Sequence, residues 1–331
     1  PSTTSSISRG PGKPRTYSRA CNRKCQTPGS ALTAAVLGPP LRNEHQQAEH
    51  QQARPHSADS CSLVPCKLDG VSETMLWTLY DRACEARRPD GILADPESVR
   101  ICNAIDYDFR SHFGEPVGSF AARAVKIDQL LKQWLRRHPN GLIVSLGEGL
   151  ETQAHRVDNG QMRWVTVDLP AAIELRQHFL PSSERFRHVA ASVFEPGWIE
   201  EIEPGPDVFI VVQGLFMYLE PEAVRRLFIK IAEHFPGAEI AFDIIPRWFS
   251  QLTLWGVMQT PHYRLPPMPW GINSDEIVAR LRDWSSAIAA LSVLEYRVPR
   301  GWPKITEDLF RMNPLTKGHL PCLVHAKVRN H

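Results

Sequence analysis

Apolar residues recur at three- and four-residue spacing in Met75, Leu76, Leu79, Tyr80 and Ala83, predicting a helix from Val71 that the turn residues Arg87-Arg88-Pro89-Asp90-Gly91 end. The same period returns in Phe120, Ala124, Ile127, Leu130, Leu131, Trp134 and Leu135, a second helix over 120–137 with Arg123, Lys126 and Asp128 beside its apolar stripe. After residue 140 the pattern changes to short continuous apolar runs, Leu142–Val144, Trp164–Val167, Phe186–Ala191, Asp207–Val212 and Ala238–Phe242. Such runs suit strands buried on both faces. Helical patterns separate them: one from about Leu150, one over Ala171–Phe179, and Pro221–His234 with Val224, Leu227, Phe228 and Ile231 inward. Strand alternating with helix implies a parallel sheet covered on both faces, whose ligands bind at the carboxyl ends of the strands. Leu291–Tyr296 and Cys322–Val328 alternate enough to be two last strands, antiparallel at the sheet edge.

Two segments depart from this order. Residues 1–65 are rich in Ser, Pro, Gln, Arg and His, without a sustained apolar period and without an acid before Glu44, and are expected to be a disordered extension. Its prolines argue against the amphipathic helix of a transit peptide, and the spacing of Cys21, Cys25, Cys61 and Cys66 is not that of a structural zinc site. Residues 246–287 form an aromatic, proline-rich insertion with Trp248, Phe249, Trp255, Tyr263 and Trp270, ending in a helix over 274–284. Core packing accounts for most such rings; a pocket for a flat apolar substrate is the sharper reading.

The chemistry concentrates in 142–170. There a strand enters Gly147-Glu148-Gly149, a helix follows, and a second strand ends on Asp168, roughly 20 residues past the first glycine, where nucleotide-binding folds place an acid on ribose hydroxyls. A dinucleotide site wants a third glycine where this chain has Thr152, and a pyrophosphate would be repelled by Glu148. S-adenosylmethionine carries positive charge and no phosphate, so the pattern favours a methyl donor over a nicotinamide cofactor. The remaining strand ends, Ser192 with Val193, Gln213 with Gly214, and Asp243, complete the candidate site.

The chain of 331 residues is long enough for one sizeable core, and its net charge of +2 makes no case for a nucleic-acid partner. No run of about 18 apolar residues suggests a membrane span. Seven cysteines, several of them isolated in structured segments, do not make a disulfide framework, which points to a reducing, cytoplasmic setting.

Leu146-Gly147-Glu148-Gly149-Leu150-Glu151-Thr152, Val167-Asp168-Leu169-Pro170 and Gln213-Gly214-Leu215-Phe216-Met217-Tyr218-Leu219 resemble motifs of the leucine carboxyl methyltransferase family, in its polyketide O-methyltransferase branch. The resemblance implies an α/β, class I S-adenosylmethionine methyltransferase fold. That is a Rossmann-like, mostly parallel seven-stranded sheet over 139–331 with a helical lid over 66–138. It also implies a small-molecule acceptor methylated on a carboxylate or hydroxyl. By the same resemblance Arg123 grips the donor's carboxylate, Gly147 and Gly149 form the donor loop, Asp168 takes the ribose, and Ser192 and Gln213 stand where many members have aspartate and glutamate. Glu148 is expected to restore the charge complementarity those two replacements remove. Tyr218, Trp248 and Trp270 are expected on the acceptor side. No histidine stands out as a catalytic base, and a protein-carboxylate methyltransferase or a non-catalytic donor-binding protein are the competing readings. The number of copies in the working assembly is not legible.

Overall fold

The computed structural model describes residues 63–66, 68–195, 197–202 and 207–330. The expected disordered extension therefore lies outside the described residues except at its end, where Val64–Pro65 pairs in parallel with Ile105–Asp106. Seven strands form the central sheet: β1 Leu142–Leu146, β2 Arg163–Asp168, β3 Phe186–Ala190, β4 Val208–Val212, β5 Glu239–Ile244, β6 Ile288–Leu294 and β7 Cys322–Val328. Their order is β6-β7-β5-β4-β1-β2-β3. Strands β1 to β5 pair in parallel, whereas β7 runs antiparallel to both β5 and β6. Chain order reverses between β1 and β4, which opens a crevice at their carboxyl ends. This is the class I methyltransferase architecture.

Every residue of β1, β4 and β5 is buried, as continuous apolar runs require when helices cover both faces. Ahead of the sheet lie α1 Gly70–Ala86, α2 Pro96–Ala104, α3 Phe109–Phe113 and α4 Ser119–Leu135. α1, α2 and α3 share a core that includes Leu76, Leu79, Ile101 and Phe113, whereas α4 packs Ile127, Leu131 and Trp134 with Ile143, Trp164 and Phe209 of the sheet. The α1 side chain Asp81 accepts the backbone N–H groups of Val117, Gly118, Phe120 and Ala121, at 2.8 to 3.2 Å. A carboxylate from one helix thus caps the next, which begins on Gly118 in the left-handed region.

Four features differ from the sequence expectation. The helix expected from Leu150 begins at Gln153 as α5, Gln153–Val157. Its first turn is withheld because Arg176, on α6 Pro170–Phe179, binds the carbonyls of Gly149 and Glu151 at 2.9 and 2.7 Å, spending groups an earlier helix would use. The last two strands are shifted in one case: β6 starts at Ile288, and β7, not β6, lies inside the sheet. After α7 Gly197–Glu200 and α8 Pro221–His234, the insertion contains α9 Arg247–Leu254, two short antiparallel strands and α10 Ile277–Trp284. Finally α11, Gly301–Met312, folds over the strand ends, a helix the apolar pattern did not announce. Among the described residues no helix is long and apolar enough to cross a membrane.

Candidate active site

A cavity of about 740 Å³ opens at the carboxyl ends of β1, β2, β3 and β4, roofed by α1, α4 and α11. It is large enough for a nucleoside-sized ligand together with a second molecule. At its floor Gly147 and Gly149 have φ of 65° and 54°. A β-carbon at Gly149 would lie 2.8 Å from that of Met75 on α1, so the lid packs directly on the loop backbone. Asp168, at the end of β2, accepts the N–H of Gly149 at 2.7 Å and of Leu169 at 2.8 Å. Burial pushes its carboxyl up, and those two N–H groups pull it partly back.

The structure brings Arg123, Gly147, Glu148, Gly149, Asp168, Ser192, Val193, Gln213, Tyr218 and Trp248 together on the cavity wall. Trp270 is not among the lining residues. It is 4 % exposed and packs against Phe216, Phe242 and Trp284 in the sheet core, so its ring serves structure and not the pocket. Nor do His155, His178, His262 or His319 line the cavity.

Arg123 reaches in from α4 and pairs with Asp243 at the end of β5, 2.5 Å away, while the other oxygen of Asp243 accepts the N–H of Gly214 at 2.7 Å. The buried Nε of Arg123 keeps no protein partner. Gln213 donates its amide N–H to Glu151 at 3.1 Å, and its own carbonyl oxygen is likewise buried without a partner. Arg123 and Gln213 both line the cavity, and each keeps one buried polar atom, a donor and an acceptor, without a protein partner, a pairing that fits a ligand presenting both a carboxylate and an ammonium group.

Glu148 behaves differently from its expected role. Its side chain is 1 % exposed and is held by Trp164 Nε1 at 2.9 Å, Thr166 Oγ1 at 2.5 Å and Arg176 at 2.9 Å. Burial pushes the carboxyl up, and Arg176 and Thr166 pull it back. That charge is met within the protein. Glu151, one turn along, is the acid in contact with a cavity-facing polar group. Burial opposes its ionisation, yet Arg82 and Arg156 outweigh it and hold its carboxyl down to about 2.

Away from the donor loop the wall is apolar and aromatic: Trp77, Phe120, Phe249, Met268 and Phe310. Trp248 contributes while half its surface stays exposed, its indole N–H donating to the His319 carbonyl. Burial raises the hydroxyls of Tyr218 and Tyr296, so both are proton donors, not anions, near neutral pH. Sequence reasoning missed Tyr296 and the α11 residues Pro303, Thr306, Glu307 and Phe310. The last four share one face of α11, but Thr306 and Glu307 are polar while Trp302, Ile305, Leu309 and Met312 are exposed, so no apolar period marks that face.

A family model described as leucine carboxyl methyltransferase matches residues 75–232. The tetracenomycin polyketide synthesis O-methyltransferase TcmP of Streptomyces glaucescens is 30% identical over 185 residues, spanning 55% of this chain and 68% of that protein. An S-adenosyl-L-methionine-dependent methyltransferase of Gibberella zeae, dpfgK, is 30% identical over 198 residues, spanning 53% of this chain and 66% of the other. Among solved structures, the N-methyltransferase NodS of Bradyrhizobium japonicum in complex with S-adenosyl-l-homocysteine aligns over 78% of this chain and 99% of its own, at 13% identity and a TM-score of 0.42.

Proposed function

Because the chain belongs to the leucine carboxyl methyltransferase family, we propose that it is an O-methyltransferase that uses S-adenosylmethionine to methylate a hydroxyl or carboxylate on a flat, largely apolar molecule of polyketide type. The observation that carries the reading is the shared cavity, in which a polar donor loop bounded by Gly147, Gly149 and Asp168 continues into an aromatic chamber. The bound donor supplies a methyl group already activated by its sulfonium. The protein's task is alignment and exclusion of water.

Each part has a distinct duty in that task. Asp168, its carboxylate braced by two backbone N–H groups, takes the ribose hydroxyls. Arg123 is held in place by Asp243 and offers its remaining N–H to the donor's carboxylate. Leu169, Val193 and Phe194 give the adenine an apolar seat beside Ser192. Trp248, Phe249, Met268 and Phe310 hold the flat acceptor, and the hydroxyl of Tyr218 positions its reacting oxygen. Arg123 is the only cation on the wall among the described residues and is committed to Asp243. That favours an acceptor presenting a neutral hydroxyl over one presenting a free carboxylate. The proton of such a hydroxyl leaves with solvent, and no side chain is assigned as base.

The test is transfer of labelled methyl from S-adenosylmethionine to a panel of aromatic phenols and aromatic acids, with products treated with alkali. Labelled ethers that survive support a hydroxyl acceptor, labelled esters that saponify identify a carboxylate, and no transfer with any member contradicts the reading. A protein C-terminal carboxylate would need an open groove in place of this roofed chamber.

A further inference from the structure

Helix α11 turns its apolar side outward. Its inner face, Pro303, Thr306, Glu307 and Phe310, lines the cavity, and Glu307 is the helix's one buried residue. Its outer face carries Trp302, Ile305, Leu309 and Met312, continued past the helix end by Leu315, and these five side chains are 51 to 83 % exposed. The helix is fastened in this orientation. Glu307 accepts the N–H of Val298 and the Arg311 guanidinium, Arg311 also donates to the Tyr296 carbonyl, and the Phe310 carbonyl accepts the Thr316 hydroxyl.

A helix in a folded protein gains most of its stability by packing its apolar stripe, and this stripe packs on nothing in its own chain among the described residues. Its side chains offer roughly 700 Å² of surface, above the largest apolar patch of an ordinary monomer and close to the ~800 Å² that each member gives to a standard interface.

The order of the stripe says which partner fits. Positions 302, 305, 309 and 312 are separated by three, four and three residues, so the spacing reads the same from either end. Two copies of α11 laid antiparallel about a two-fold axis level with Glu307 therefore set Trp302 against the partner's Met312 and Ile305 against the partner's Leu309, each contact made twice. The first joins an indole to a thioether and the second joins two aliphatic chains. Charge does not oppose the pairing, because Lys304 is paired with Asp308 and Arg311 with Glu307 inside the same helix. The same pairing disfavours a lipid surface, whose anionic headgroups need unpaired Lys and Arg beside the stripe.

We propose that this face is a dimer contact, in which two copies of the chain meet through antiparallel α11 helices and cover each other's outer stripe. The inference is independent of the methyl donor and acceptor assigned above.

Analytical ultracentrifugation of the full chain, of Ile305→Lys, of Leu309→Glu and of an equimolar mixture of the two variants tests this. Both positions are exposed in the single chain, so each variant should keep the wild-type far-UV circular dichroism. Wild type is expected to sediment as a concentration-dependent dimer. Each variant alone is expected to associate at least about a hundred-fold more weakly, since its homodimer would bury two unpaired charges. The mixture is expected to recover to within about ten-fold of wild type, because one chain's new ammonium then faces the other's new carboxylate while the second Ile305–Leu309 contact stays native. A wild type that remains monomeric at tens of micromolar, whether or not it binds anionic vesicles, overturns the proposal. So does a dimer unaffected by either variant, or a mixture no more associated than the variants alone, the result a parallel pairing would give.

Discussion

Removing the carboxylate of Glu148 separates two roles that the residue could have in the donor loop. If its charge faced the donor, Glu148→Ala would weaken binding and leave the fold intact. The structure predicts the opposite balance. The substitution would leave the Arg176 guanidinium, 3 % exposed, without its counter-charge and strip the partner from Trp164 Nε1 and Thr166 Oγ1. Breaking a buried pair by removing one member costs about 3–5 kcal/mol. For a domain of this size each kcal/mol shifts the midpoint by about 2–4 °C, so thermal denaturation should move down by roughly 6–20 °C. Glu148→Ala/Arg176→Leu should return part of that loss, because it removes the orphaned charge, although Arg176 also holds the carbonyls of Gly149 and Glu151. Differential scanning fluorimetry gives the midpoints, and calorimetry below the transition gives donor affinity. A near-wild-type midpoint with strongly weakened donor binding would refute the reasoning and return Glu148 to the donor.

Other perturbations probe separate parts of the account. Asp81→Ala should cost about 2 kcal/mol or more, since four backbone N–H groups lose their acceptor, and should weaken donor binding through displaced Arg123; chemical denaturation with parallel titration checks both. Gly149→Ala should lower donor affinity by displacing α1, because its β-carbon would lie 2.8 Å from that of Met75 at a φ of 54°; an unchanged affinity contradicts the close packing of lid on loop. His188 accepts from Arg176 Nε, and burial followed by Arg176 lowers its imidazolium value from 6.5 to about 4. The unfolded chain therefore takes that proton first, so this residue's contribution is lost as pH falls from 6.5 towards 4. His188→Gln should flatten the midpoint over that window, and an unchanged pH profile would count against the assignment.

The parts of this molecule that read clearly from the sequence are those governed by local periodicity. Strands β1, β2, β4 and β5 are continuous apolar runs because both faces are buried, and the glycines and Asp168 fall at strand ends where chain geometry alone places them. Periodicity does not show partners. Glu148 and Glu151 are three residues apart and chemically alike, yet Arg176 neutralises one whereas Arg82 and Arg156 leave the other in contact with Gln213. Those arginines come from α6, α1 and α5, so the distinction between the two acids is tertiary. Trp270 was unreadable for a similar reason, since an aromatic in a proline-rich stretch carries no mark of whether its ring meets the pocket or Phe216 and Phe242. α11 escaped because its inward positions are Pro303, Thr306, Glu307 and Phe310, while Trp302, Ile305, Leu309 and Met312 stay exposed, an inversion of the usual amphipathic rule.

On the function proposed above, this cavity holds S-adenosylmethionine with Asp168 on its ribose. The most direct measurement is calorimetric titration of the whole chain with S-adenosylmethionine, S-adenosylhomocysteine and NAD, repeated on Asp168→Ala. Saturable one-to-one binding of the first two, none of NAD, and loss of binding in the variant are the predicted results. Binding of NAD in preference to both sulfur compounds, or donor affinity unaffected by Asp168→Ala, would contradict the account.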